Sequence, residues 1–208
     1  MLQTPDLTTA FTPEQTEIWK SALALANTCA FEQVHSIQVT RLAVRLFDEL
    51  RDLHLLSAQE RFWLHLAGLL HDIGWCEGWK AHHKTSLNII LTTPMLPFDQ
   101  RERLLIGSVC RYHRKAQPDL SHDHFSALTV DDRRTVVRLA SLLRIADGLD
   151  CTHRCLVSDL TARINPSTIE LNCQAVEPAL DEERDALKKG DLLEATFDRK
   201  LKISWILL

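Results

Sequence analysis

LAGLLHDIG, residues 66–74, decides the reading of this chain. An apolar run closes on the adjacent pair His71-Asp72, and a glycine follows two residues later. Upstream, Ser57-Ala58-Gln59-Glu60 has the form of a capping box, with the serine side chain meeting an orphan N–H and the glutamate reaching back. The segment is therefore expected to be a helix from about 58 to 72, with Gly74 as its left-handed stop. An imidazole beside a carboxylate offers two ligands to a divalent cation of intermediate softness. Further ligands from neighbouring helices would complete such a site.

Working outward, four more segments carry such residues. His35 lies in EQVHSIQV (32–39), His82-His83 in KAHHKTSL (80–87), His113 in VCRYHRK (109–115) and Asp147 in LLRIADGLD (142–150). Helical spacing tells where two of them point. Ile106, Val109 and Cys110 form a stripe whose next member is His113, and Val136, Ala140 and Leu143 form one that reaches Asp147. An ionised aspartate facing a core costs several kcal/mol unless a cation pairs with it. That cation is either an arginine, with Arg138 and Arg144 within reach in sequence, or a metal. A single inward histidine is more often a hydrogen-bonded core residue, which is the reading given to His54 and His65. His122, His124 and His153 sit in polar context and read as surface residues. The convergence of His35, His71, Asp72 and Asp147 from separate helices favours a metal, with His82 and His113 as further ligands.

The remaining pattern is mainly helical. Thr12-Pro13 opens a helix to about Thr28, and apolar residues recur at helical spacing over 31–53. After a loop holding Trp75, Gly78 and Trp79, helices are expected from near 81 to 92, over 98–114 and over 131–150. From Leu160 the period changes to two. Leu160, Ala162 and Ile164 alternate, Asn165-Pro166-Ser167 turns the chain, and Ile169, Leu171 and Cys173 alternate again. A charged helix (178–189), a shorter one (190–196) and a last alternating run (200–208) follow. The expectation is a helical domain (1–154) carrying a small α+β tail (155–208). Because an isolated hairpin is only marginally stable, the tail should form one three-stranded antiparallel sheet covering the helices. The open edges of such a sheet leave room for a homodimer.

Composition narrows the function. With 24 basic and 28 acidic residues and a net charge of −4, nothing draws the chain as a whole to nucleic acid or an anionic membrane. The six cysteines form no C-x-x-C pair, so a cysteine zinc site is not expected and free thiols in a reduced, cytoplasmic setting are. Neither a leader nor a membrane span is read in the sequence.

The order H…HD…D, made by His35, His71-Asp72 and Asp147, resembles the signature of the HD-domain phosphohydrolase superfamily. LFDEL, LLHDIG, HHKTS, RYHRK, LLRIADGLD and the closing DLLEATFDRKLKI closely resemble the C-terminal HD domain of the exopolyphosphatase/guanosine pentaphosphate phosphatase family, over about residues 30–206. In that family the phosphatase chemistry belongs to N-terminal actin-like domains, which have no room in 208 residues, so exopolyphosphatase activity itself is not expected. The family tends to read HHKHS where this chain has Thr85. Resemblance to two-metal HD proteins gives His82 and His113 the second metal. One or two divalent ions (Mn, Fe, Ni, Zn or Mg) are implied, bridged by Asp72 if two, and a metal-activated hydroxide would attack a nucleotide or other phosphate ester or anhydride. His71 and Asp72 would then be catalytic, with Lys84 and Arg114 neutralising phosphoryl oxygens. Arg111 and Lys115 read equally well as surface charge, and Asp150 as an outer supporting residue. The competing expectation is a module that binds a phosphorylated ligand without turnover, or that serves regulation or dimerisation.

Overall fold

The computed structural model describes residues 11–208. The reading of residues 1–10 as lacking a leader falls outside them. Thr12 and Gln15 form a capping box that opens α1 (Pro13–Thr28). Helix α2 (Gln33–Glu49) is followed by the short α3 (Arg51–His54). The expected box at Ser57 and Glu60 opens α4 (Ala58–Leu70), whose last turn hands the chain to His71. A 3-10 turn (Ile73–Glu77) leads to α5 (His82–Thr92) and α6 (Gln100–Arg111). The short α7 (Asp123–Ser126) interrupts the polar loop before α8 (Val130–Gly148). Beyond it come β1 (Val157–Ile164), β2 (Thr168–Ala175), α9 (Leu180–Lys189), α10 (Asp191–Phe197) and β3 (Lys200–Leu207). The chain is mainly α with a small α+β appendage.

The sheet corrects one expectation. β1 and β2 form the antiparallel hairpin, with Ile164 opposite Ile169 and Leu160 opposite Cys173. β3, however, lies parallel to β2, Ile169 beside Leu201 and Leu171 beside Ile203, so the sheet is mixed. The cause is the connection. Helices α9 and α10 carry the chain back to the end of the sheet at which β2 began, and a crossover of that kind joins parallel strands. One continuous apolar core runs through both parts, from Leu42, Leu66 and Leu139 to Leu160, Leu171 and Leu193. The outer edge of β1 is closed by side chains of α2. Gln38 donates to the Val157 carbonyl at 2.7 Å, Arg41 to those of Val157 and Ser158, and Glu49 accepts from the Ala162 amide at 2.8 Å. Polar side chains thus meet backbone groups that would otherwise offer a pairing edge.

Gly74 is not a left-handed stop, since glycine takes a positive φ at Gly78 instead. Gly74 serves close approach. A Cβ there would lie 2.1 Å from the His82 carbonyl oxygen and 2.6 Å from the Ser86 nitrogen, so only glycine lets α5 close over the chain just after His71-Asp72. No helix among the described residues is long and apolar enough to cross a membrane. All six cysteines are free thiols.

His54 and His65 behave as core residues. His54 meets the Phe47 carbonyl at 2.7 Å and His65 that of Arg61 at 2.9 Å. Burial among Phe11, Trp19 and neighbouring core side chains lowers the His65 pKa to about 4. The folded value lies below the unfolded one of about 6.5, so the unfolded chain binds the extra proton between them. The contribution is therefore intact above about pH 6.5 and lost as the pH falls through about 4, by about 3 kcal/mol at most. Urea unfolding of His65→Gln at pH 7 and pH 4 should show a smaller loss on acidification than the parent. An equal loss would remove His65 from the acid response.

Candidate metal centre

Six side chains meet where the helices end. His71 and Asp72 follow α4, His113 follows α6 by two residues, and Asp147 sits in the last turn of α8. The partial negative charge at three helix C-termini favours a cation there. His35 comes from the first turn of α2 and His82 opens α5, just after Ala81 takes a left-handed φ of 61°. The ligand atoms fall into two triads, His35–His71–Asp147 and Asp72–His82–His113, each with its members within 4.8 Å of one another. All six proposed ligands are thus brought together.

Asp72 joins the triads. Its Oδ1 lies 3.1 Å from His82 Nε2 and 3.5 Å from His113 Nε2, while Oδ2 lies 3.5 Å from His71 Nε2. Asp147 Oδ1 faces His35 Nε2 at 3.5 Å and His71 Nε2 at 3.9 Å. The other nitrogen of each ring is already engaged. Nδ1 of His71, His82 and His113 meets the carbonyl three residues earlier, on Gly68, Trp79 and Cys110, at 2.7–2.9 Å. A carbonyl only accepts, so Nδ1 carries the proton and Nε2 turns its lone pair inward. His35 Nδ1 does the same against Asp150 Oδ2 at 2.8 Å. Asp150 is fully buried and its other oxygen accepts from the Cys155 amide, so it holds the His35 ring in place more firmly than its position in the sequence suggested.

The donor set fits a divalent cation. His35 Nε2, His71 Nε2 and Asp72 Oδ1 are buried and have no hydrogen-bond partner among the described residues. Buried polar atoms are nearly always paired, so these orphans, two in the first triad and one in the second, mark missing partners among the described residues, and bound cations would take up such lone pairs. The electrostatics of His113, Asp72 and Asp147 agree. Burial pushes the His113 pKa down to about 3, so it is a neutral donor. Burial would favour protonated Asp72, yet His71, His82 and His113 hold its carboxyl well below the usual range. Burial likewise opposes charge on Asp147, and Lys189 with His35 overcomes it. Burial works against a charged His35, but Asp147 and Asp150 outweigh it and raise its pKa to about 10, so without an ion it carries a second proton, which a cation bound at Nε2 would displace.

Lys189 is the residue that the sequence did not reveal. Its Nζ reaches Asp147 Oδ2 at 2.7 Å and Asp185 Oδ2 at 2.6 Å. Neither Arg144 nor Arg138 takes that place, and Arg144 pairs with Asp191 instead. The only hint was a lysine in the last turn of a charged helix, which is what any helix dipole favours. Gly148 makes the contact possible. A Cβ there would lie 2.6 Å from the Ala186 Cα, so α9 docks against α8 and delivers Lys189 to Asp147.

The phosphate-neutralising candidates separate. Arg114 stays at the centre, with Nη1 3.3 Å from His82 Nε2. Lys84 is exposed and lines a neighbouring cavity with Arg111, and Lys115 is exposed. Arg111 is not surface charge but buried, because α6 turns it inward beside Tyr112. His153, read as a surface residue, is half-buried and stacks on His35 with ring centroids 3.8 Å apart. Trp75 similarly stacks on His82. Residues 19–200 of the chain match the family model described as Ppx/GppA phosphatase, domain III.

Proposed function

Because the chain belongs to the Ppx/GppA phosphatase domain III family, we propose that it is a metal-dependent phosphohydrolase acting on a nucleotide or another phosphate ester or anhydride. One observation carries the reading: the two oxygens of Asp72 face separate triads while the inward Nε2 atoms of His35 and His71 are buried without a partner. His35, His71 and Asp147 would hold one ion, and Asp72, His82 and His113 the other. Such ions polarise phosphoryl oxygens and lower the pKa of a coordinated water toward ~7.

The protein supplies the positioning. Four imidazoles with fixed Nδ1 contacts keep their donors at set directions, so little reorganisation accompanies reaction. Asp72 and Asp147 are already ionised and need release no proton to bind a cation. Arg114, against His82, is the cation placed to meet phosphoryl oxygens, since phosphoryl transfer needs mainly charge stabilisation and alignment. Lys84 then acts further out. The alternative is a module that holds a phosphorylated ligand without turnover. It draws support from Lys189, whose ammonium already neutralises Asp147 without any ion.

Protein prepared without chelator should contain one to two transition-metal ions per chain. With Mn²⁺, Fe²⁺ or Ni²⁺ it should release phosphate from at least one member of a set of nucleotides, cyclic dinucleotides, guanosine tetraphosphate and polyphosphate, and EDTA should abolish release. A fully metallated protein that binds one of these and hydrolyses none would leave the binding module in its place.

A further inference from the structure

A second group of unpaired polar atoms lies around a cavity formed by α5, α6 and the 121–124 segment. A cavity of about 610 Å³ is lined by Lys84, Leu87 and Leu91 of α5, Leu104 and Arg111 of α6, and Ser121, His122, Asp123 and His124 of the following segment. None of the six metal-centre ligands lines it. Its volume falls in the range of small-molecule sites, roughly 300–1,000 Å³.

Arg111 is the informative residue. It is only 5 % exposed, its Nη1 has no hydrogen-bond partner, and no carboxylate within ion-pair distance of it is found among the described residues. A buried guanidinium without an anion is costly, so a cavity that it lines marks the place of one. Two imidazole nitrogens of these segments are without a partner among the described residues as well, His124 Nδ1 on the wall and His83 Nδ1 on α5. Arg111 and His124 line the same cavity and the guanidinium acts on the His124 ring. Burial lowers the His124 pKa to about 4, which leaves it a neutral ring able to donate an N–H. Lys84 adds an exposed ammonium at the rim, where Asp123 is the one carboxylate on the wall. The opposite wall is leucine.

We propose that this cavity binds a phosphorylated small molecule, its phosphate held by Arg111 and Lys84 and its body resting on Leu87, Leu91 and Leu104. A planar guanidinium suits phosphate because it presents paired donors to paired oxygens. The apolar wall gives an organic body something to cover that inorganic phosphate lacks. Adjacent positions on α5 point about 100° apart, so His83 takes a direction different from that of His82, its ring edge-on to those of His82 and His113. This site goes beyond the hydrolytic reading and does not depend on it.

The test uses the full chain in EDTA, which removes any ion from the metal centre. Inorganic phosphate and adenosine 5′-monophosphate are titrated separately by calorimetry. Both should bind saturably, the nucleotide more tightly. Arg111→Met should weaken binding on the order of tenfold or more, the loss expected for one charge-assisted hydrogen bond. Lys84→Ala, an exposed change that leaves packing untouched, should weaken it several-fold, and His35→Ala should leave it unchanged. The proposal is overturned by the absence of saturable binding, by parental affinity in Lys84→Ala, or by loss of binding in His35→Ala, which would put the anion at the metal centre. Phosphate release is measured separately, so failure of the hydrolytic reading remains distinguishable from failure of this one.

Discussion

Asp72→Ala, reloaded with Mn²⁺, should hold well under one ion per chain and lose turnover by more than the 10²–10³-fold that removal of a single electrostatic contact costs. The reason is the geometry of its carboxylate. Oδ1 serves His82 and His113 and Oδ2 faces His71, so a single truncation takes a donor from each side. His82→Ala removes a ligand from one triad only, so it should keep the ion at His35, His71 and Asp147 and retain measurable activity. The fold should survive both changes, because the imidazoles left behind keep their carbonyl partners. Metal content by elemental analysis, together with phosphate release, decides the matter. Equal metal loss in the two variants would refute the shared carboxylate.

Lys189→Met should lower the stability of metal-free protein by about 3 kcal/mol, the lower end of the cost of breaking a buried pair. For a chain of this size that is a fall in Tm of roughly 6–12 °C. The lower end applies because His35 still faces the stranded Asp147 carboxylate at 3.5 Å. A divalent ion bound at the first triad would neutralise the same carboxylate, so metal should shrink the deficit as well as stabilise both proteins by mass action. Thermal melts with and without Mn²⁺ give the comparison. A deficit that is the same in both conditions would mean that Lys189 and the metal do not share Asp147.

Much of the site was legible because local rules operate along a helix. A period of 3.6 aimed His113 and Asp147 inward, and the pair His71-Asp72 at the end of an apolar run marked the anchor. The N-cap and proline at Thr12-Pro13 and the capping box at Ser57 located two helix starts. Period-two alternation located the three strands. These signals depend on residues within a few positions of one another, so they survive without knowledge of the fold.

Other features depend on which elements touch. The direction of β3 follows from how α9 and α10 cross back, and no pattern within 200–208 encodes it. The cation opposite Asp147 is a lysine 42 residues away, delivered because Gly148 lets Ala186 approach, whereas nearby Arg144 is drawn to Asp191. Arg111 reads as surface charge until α5 and the 121–124 segment close around it. The sequence by itself located the longer helices, the strands and six side chains that could hold a metal, while the short α3 and α7 and the 3-10 turn emerged only in the fold. The partners of those ligands and the direction of the last strand were decided by tertiary packing, because charge pairing and strand order are set by distances between segments far apart in the chain.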